Sequence, residues 1–369
     1  MSEHDHHHAH DCAHDHAHDH GDDDQAQGWD AITRALEAHY GEQEPRHFGT
    51  VIKWGMGGPD PLDGLSCYAV DEPTPHWHIV SYGMTELYAK ESDIAEQSGW
   101  GFEFTIRVAR APEERGSDDV PRWALSLLQN LARYVFASGN VFGPGHKADL
   151  NGPIALQRET ALRAVAFLED PTLPELDTPN GRVAFLQVVG LTADEYRAAS
   201  SWDARKFLDA LRERLPLAIT DLARGSLLEA DPAFAALVEE GLRRDGSSQE
   251  SLAVPLLELE EGEGRPLVRL GARPVEEFLS LVRGRLPHGR PMWLAGPEAV
   301  VAFEPGEEAG WGKDPHGNPS LVLAPADVER VLAKVRPRQR GRYDLGFWIL
   351  EVVPSEIKNQ AGEVIEVIG

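Results

Sequence analysis

Three groups of residues have types and spacings that could do chemistry. His76 and His78 lie two apart in the apolar run His76-Trp77-His78-Ile79-Val80-Ser81-Tyr82, which reads as a strand. Residues i and i+2 of a strand share a face, so the two imidazoles could start a zinc site for metal-assisted hydrolysis. A third and fourth ligand are not evident nearby, and Asp60 or Asp63 would have to fold back. Structural histidines packed beside Trp77 are the plainer reading. Cys67 is near both histidines in sequence and would give a Cys–His nucleophile. A lone Cys beside Leu65 and Tyr68 is more often a buried small hydrophobe. The third group is His4, His6, His7, His8, His10, His14, His16, His18 and His20, interleaved with acids, alanine and Cys12. Such ligands suit zinc, nickel or copper. They specify no fixed geometry, so the expectation is zinc or nickel held on a tail, with no cofactor required.

Other chemistry is missing. There is no His-Glu-x-x-His, Gly-x-Ser-x-Gly, Cys-x-x-Cys or dinucleotide glycine fingerprint. The glycine-rich loop Gly55 to Asp63 lacks the Gly-Lys-Ser/Thr ending of a phosphate loop. No catalytic residue is assigned, and the chain is expected not to be an enzyme.

The elements that must position these residues follow from periodicity. Trp29, Ile32, Leu36 and Tyr40 repeat at helical spacing and stop at Gly41. Gly101 to Val108 alternates, with Phe102, Phe104, Ile106 and Val108 on one face and Glu103, Thr105 and Arg107 on the other, which predicts a half-buried strand. The polar link Met84 to Gly99 joins it to the His76 strand. A helix from Pro121 carries Leu125, Leu128, Leu131 and Val135, and its Arg133 and Tyr134 are assigned surface or core roles. Strands are predicted at Ala164 to Leu168 and Val183 to Gly190, and Thr192 to Glu195 reads as a capping box. Further on, the pattern predicts a helix from Pro274, strands at Pro291 to Leu294, Ala299 to Phe303 and Ser320 to Leu323, and a helix from Ala326 to Val335. A last strand holds Tyr343, Leu345, Phe347 and Ile349 and ends at Pro354.

A chain of 369 residues exceeds one typical core. The expected organisation is a disordered His/Asp-rich tail (1–27), a first domain (28–246), an acidic linker (247–265), a second domain (266–354) and a fraying tail (355–369). The fold class is α+β: two mixed α/β domains, each a largely antiparallel or mixed sheet with packed helices. The formal charge is −26, and the first 24 residues hold eight acids with no Lys or Arg, so the body is itself strongly acidic. Nucleic acid and anionic lipid both require a cationic surface and are excluded as partners. A cationic protein partner fits, as does plain solubility. No apolar run reaches the ~20 residues of a membrane span. With no export signal and two cysteines, the cytoplasm is the expected compartment.

Several stretches resemble the Suppressor of fused family. They are Gly57-Gly58-Pro59-Asp60-Pro61-Leu62-Asp63 with Ser66 and Tyr68; His76-Trp77-His78, Ser81, Gly83, Leu87-Tyr88 and Ser98-Gly99 with Gly101-Phe102-Glu103; Leu131 to Phe136 with Ser138, Asn140 and Phe142; Glu169-Asp170-Pro171; Phe185-Leu186-Gln187; and Arg283-Gly284-Arg285-Leu286 with His288-Gly289-Arg290. The likeness runs from about Gly57 to Ser247, then from Val282 to Arg290, and more weakly to Val335. It implies two mixed α/β domains without known catalysis. It also implies a partner peptide added as a strand in the interdomain cleft. For bacterial members it implies a role as an immunity protein against a toxin. Carried over by position, Tyr88 and Glu96 would meet the partner from the first domain, and Leu279 and Leu281 from the second.

Overall fold

The computed structural model describes residues 26–110, 119–156, 158–262, 264–358 and 363–369. The tail histidines and Cys12 lie outside the described residues. The first half contains α1 (Gln27–Tyr40), β1 (Arg46–Gly49), β2 (Gly64–Val70), β3 (His76–Tyr82), β4 (Gln97–Ala109), α2 (Arg122–Ser138), β5 (Lys147–Asp149), β6 (Leu162–Glu169), β7 (Leu176–Thr178), β8 (Gly181–Thr192), α3 (Ala193–Ser201), α4 (Ala204–Arg212), α5 (Leu227–Ala230) and α6 (Pro232–Asp245). The second half contains β9 (Ser251–Ala253), β10 (Leu257–Gly262), β11 (Arg265–Gly271), α7 (Val275–Arg285), β12 (Met292–Ala295), β13 (Val300–Pro305), β14 (Gly310–Lys313), β15 (Pro319–Leu323), α8 (Pro325–Lys334), β16 (Gly341–Asp344), β17 (Ile349–Val353), β18 (Ser355–Lys358) and β19 (Val364–Ile368).

The strands of the first half form one sheet in the order β1-β2-β3-β4-β8-β6-β5, with β7 also paired to β8. Only β4 and β8 run parallel in it; the other pairs are antiparallel. The side-chain period of two sorts the strands onto two faces. Phe104, Ile106, Phe167 and Val188 pack on one face with Leu128, Leu131 and Val135 of α2. On the other face, Ile32 and Leu36 of α1 cover Tyr68, Val80 and Tyr82, while Phe207, Leu211 and Phe234 of α4 and α6 cover Ala164, Ala166 and Val189. The result is helix, sheet, helix. The α1 stop is as expected: Gly41 takes a φ of 64° and donates its N–H to the Glu37 carbonyl. The Thr192/Glu195 capping box forms at the start of α3.

The second half has a four-stranded sheet, β10-β11-β17-β16, and a five-stranded one, β14-β15-β13-β12-β9. They share one core that includes Phe278, Phe303, Trp348 and Val331. The mixed α+β class is therefore as expected.

Four local expectations are corrected. Strand β4 is buried on both faces: Glu103 and Thr105 are at 0% exposure and Arg107 at 1%. A second helical layer and internal hydrogen-bond partners make that possible. The stretch read as an acidic linker contains β9 and β10. Leu257 packs in the core with Leu259 against it, and Glu258 and Glu260 sit on the opposite face beside Arg269. The last strand is two strands, β16 and β17, because the chain turns at Gly346 with φ 95° and Leu345 N–H bonds back to Trp348 O at 3.1 Å. The segment expected to fray forms the β18–β19 hairpin, with Ile368 buried in the core.

Candidate functional site

The two histidines are buried in β3, at 1% and 0% exposure. His78 Nε2–H donates to Asp170 Oδ2 at 3.1 Å, so its Nδ1 accepts from Tyr40 Oη at 2.5 Å. Burial first, and then Arg107, push His78 down to about 4 against the pull of Asp170, so the ring is neutral. His76 Nδ1 bonds the Thr74 carbonyl at 2.7 Å. Asp170 also accepts both ends of the Arg107 guanidinium, at 2.7 and 3.1 Å, and the Thr105 hydroxyl at 2.7 Å. Burial alone would raise the Asp170 carboxyl; His78 and Arg107 hold it well below the usual carboxylate range. Gln187 accepts from Arg107 as well. This network ties α1, β3, β4 and β8 together.

The hydrolase reading of His76 and His78 is corrected on these grounds. Both rings are closed to solvent, and His78 uses both nitrogens on protein partners. Among the described residues, no group of three His, Cys, Asp or Glu side chains could hold a metal ion. Cys67 is buried, and burial pushes its thiol up to about 12, so it packs as an apolar group.

Glu103 is the second buried polar centre. Its carboxyl accepts from Ser81 Oγ (2.6 Å), Gly83 N (3.0 Å), Met84 N (3.3 Å), Thr85 N (3.0 Å) and Thr85 Oγ1 (2.6 Å). Burial pushes it up to about 7 while these donors pull it down. It pins the start of the link between β3 and β4, where Tyr88 sits.

The residues named from the sequence fall in separate places. Tyr88 is partly exposed and takes a hydrogen bond from Lys53 Nζ at 2.6 Å while donating to Asp63 at 2.7 Å. It lines a cleft with Trp54, Leu87, Trp100 and Phe136. Glu96 is exposed in the turn before β4, and its carbonyl accepts from Arg182 N at 3.0 Å. Leu279 and Leu281 belong to the second core. Leu281 also lines a cavity of about 280 Å³ between α3 and α7, with Tyr196, Ser201, Leu252, Glu277 and Ser280.

The groove that sequence reasoning missed begins at β5. Among the described residues that strand ends the large sheet, paired to β6 and unpaired on its other side. Phe167 N bonds His146 O and Leu150 N bonds Arg163 O. By the antiparallel alternation, the backbone groups of Lys147 and Asp149 then point away from β6. Beside this edge lies a cleft of about 970 Å³ lined by Leu131, Tyr134, Phe142, Lys147, Leu156 and Tyr196, among others. Tyr134 and Leu156 are exposed there, at 47% and 77%. Tyr196 lines this cleft and the α3–α7 cavity alike, so the two adjoin at its ring. The sequence signal for it is Tyr134, an aromatic residue on the surface of α2.

The junction itself is built from backbone and small side chains. Ser247 N bonds Gly284 O at 2.6 Å, Ser201 Oγ and Ser280 Oγ lie 2.5 Å apart, and Arg285 donates to Ser247 O at 3.1 Å.

A two-half α+β molecule with an open sheet edge at the junction is the class this geometry defines. Residues 58–225 match the family model described as Suppressor of fused protein (SUFU). Over 238 residues the chain is 36% identical to the Suppressor of fused homolog of Homo sapiens and 35% identical to that of Mus musculus, covering 58% of this chain. The chain spans about half the length of these curated relatives, 48% of each. The crystal structure of Drosophila Suppressor of Fused shares the fold, with a TM-score of 0.74 at 20% identity over 89% of this chain and 97% of that one. A chain of the Sufu-Fu complex crystal structure matches with a TM-score of 0.54 at 29% identity, over 57% of this chain and 97% of that one. Over residues 58–225 the chain is similar to the Suppressor of fused family.

Proposed function

We propose that this chain is a protein-binding module that takes an extended segment of a partner along the open β5 edge, between its two halves. The observation that carries this reading is the β5 edge itself, unpaired among the described residues and flanked by an apolar cleft that shares Tyr196 with the cavity at the junction. Strand addition to such an edge draws affinity from main-chain hydrogen bonds and specificity from flanking pockets. The relative seen in a Sufu-Fu complex supports a protein as the ligand. The charge of −26 favours a cationic partner. The finer form of the reading is an immunity protein holding a cationic toxin in a 1:1 complex in the cytoplasm.

Site-specific photo-crosslinking in the native host tests it. A crosslinker replacing Tyr134 or Leu156 in the groove should capture the same partner, and one replacing the exposed Leu237 of α6 should not. A partner captured from Leu237 and from neither groove position would overturn the reading.

A further inference from the structure

A separate cleft of about 450 Å³ lies between α1 and the β1 end of the large sheet. Its volume is that of a small-ligand site, roughly 300–1,000 Å³. Four aromatic rings line it: Trp29 from α1, His47 from β1, Tyr68 from β2 and Tyr82 from β3. The register brings them together. His47 pairs with Ser66, Tyr68 follows two residues later on the same face of β2, and Tyr82 pairs with Gly64, two residues before Ser66. Gly64 leaves the space in which His47 and Trp29 meet: a Cβ there would stand 2.4 Å from His47 Nε2 and 3.3 Å from the Trp29 ring. Trp29 stacks on Tyr82 with ring centres 4.4 Å apart. His47 stands edge-on to Trp29 at 5.4 Å and to Tyr82 at 5.9 Å. Tyr40 stacks on Tyr68 at 3.9 Å.

Packing of α1 on the sheet accounts for the stacked pairs. It does not account for two further features. Tyr68 is at 3% exposure, yet its hydroxyl has no hydrogen-bond partner among the described residues, whereas that of Tyr82 is paired with Thr33 Oγ1 at 3.2 Å. A buried polar group left open on a cleft is one that a ligand can take. The same cleft is lined by Glu37, Glu42 and Glu44, all exposed, and by no Lys or Arg among the described residues. Burial holds His47 below its ordinary value, so its ring adds no opposing charge.

The faces of aromatic rings attract a cation within about 6 Å of their centres, and the carboxylates add a field of the same sign. Beyond the Tyr68 hydroxyl, the ring walls offer few acceptors. A bare ammonium with three N–H donors would be left short of partners, while N-methyl groups need none and pack on rings. We propose that this cleft binds a small methylated ammonium compound, with Trp29, Tyr68 and Tyr82 as its aromatic walls and Glu37 supplying the opposite charge. The inference is independent of the β5 edge.

Calorimetric titration of the full chain with choline tests it, against 3,3-dimethylbutanol, the uncharged isostere of choline. Choline should bind one to one and about tenfold more tightly than the isostere. Glu37→Gln, an exposed change that leaves the fold intact, should weaken choline about threefold, and Trp29→Leu about tenfold. Tyr68→Phe removes only the unpartnered hydroxyl, so it should weaken choline without lowering Tm. Absence of binding at millimolar choline, equal binding of the isostere, or affinity indifferent to all three substitutions would overturn the proposal. A peptide carrying trimethyl-lysine should bind no more tightly than choline. One bound more than about tenfold tighter would overturn the small-molecule assignment and make a modified protein the ligand.

Discussion

Arg273 Nη2, just before α7, donates to Asn151 Oδ1, just after β5, at 3.2 Å. The second half of the molecule thus reaches over the end of the open edge through one exposed side-chain contact. The firmer attachment lies on the far side of the groove, where Gly284 O takes the Ser247 N–H.

This arrangement sets two opposite expectations for stability. Arg273→Ala removes an exposed polar contact and should change unfolding free energy by less than about 1 kcal/mol. Gly284→Ala should cost about 2–3 kcal/mol by overpacking, because an added Cβ would stand 2.7 Å from Ser247 Cβ and 3.3 Å from Ser201 O. Urea denaturation of the two variants checks the ranking.

His78 predicts a pH arm. Its folded pKa of about 4 lies below the ordinary value of 6.5. The folded state resists protonation that the unfolded chain accepts, so stability is full above 6.5 and falls as pH drops toward 4. The loss reaches about 3 kcal/mol at the foot of that window. His47 and His76 are also held low by burial and act in the same direction. The difference between wild type and His78→Phe isolates the His78 share, and denaturation at pH 7 and pH 4.5 measures it.

Glu103→Gln keeps the shape and removes the charge. Five donors converge on this carboxyl, and a glutamine NH₂ would turn a sixth donor toward them. The variant should lose about 2–4 kcal/mol. The amides of Gly83 and Thr85 should exchange faster, read by hydrogen exchange.

Metal binding should belong to the tail. Full-length chain is expected to take up zinc or nickel, and chain lacking residues 1–24 should not, by metal analysis after gel filtration. Stoichiometric zinc retained by the shortened chain would contradict the assignment of His76 and His78 to packing.

Where sequence and structure part, the cause is distance along the chain. The α1 stripe and the alternation of β4 are local and were legible. The sidedness of β4 was not: Thr105 and Arg107 look like solvent-facing residues until Asp170 arrives from beyond β6. Leu257-Glu258-Leu259-Glu260 carried a strand period that its acidity masked, and Arg269 from the next strand completes it. Tyr134 reads as ordinary helix surface because its cleft is made by β5 and α3, which follow it in the chain. Tyr88, carried over by position from the family, lines a different cleft, with Trp54, Trp100 and Phe136.

The central claim is that a partner's backbone pairs with β5. Hydrogen exchange of the isolated complex, captured with its native partner, tests it most directly. The account predicts slowed exchange at Lys147 and Asp149, with the opposite edge of the same sheet, Arg46 to Gly49, unchanged. Protection of Arg46 to Gly49 with β5 exchanging as in the free chain would contradict it.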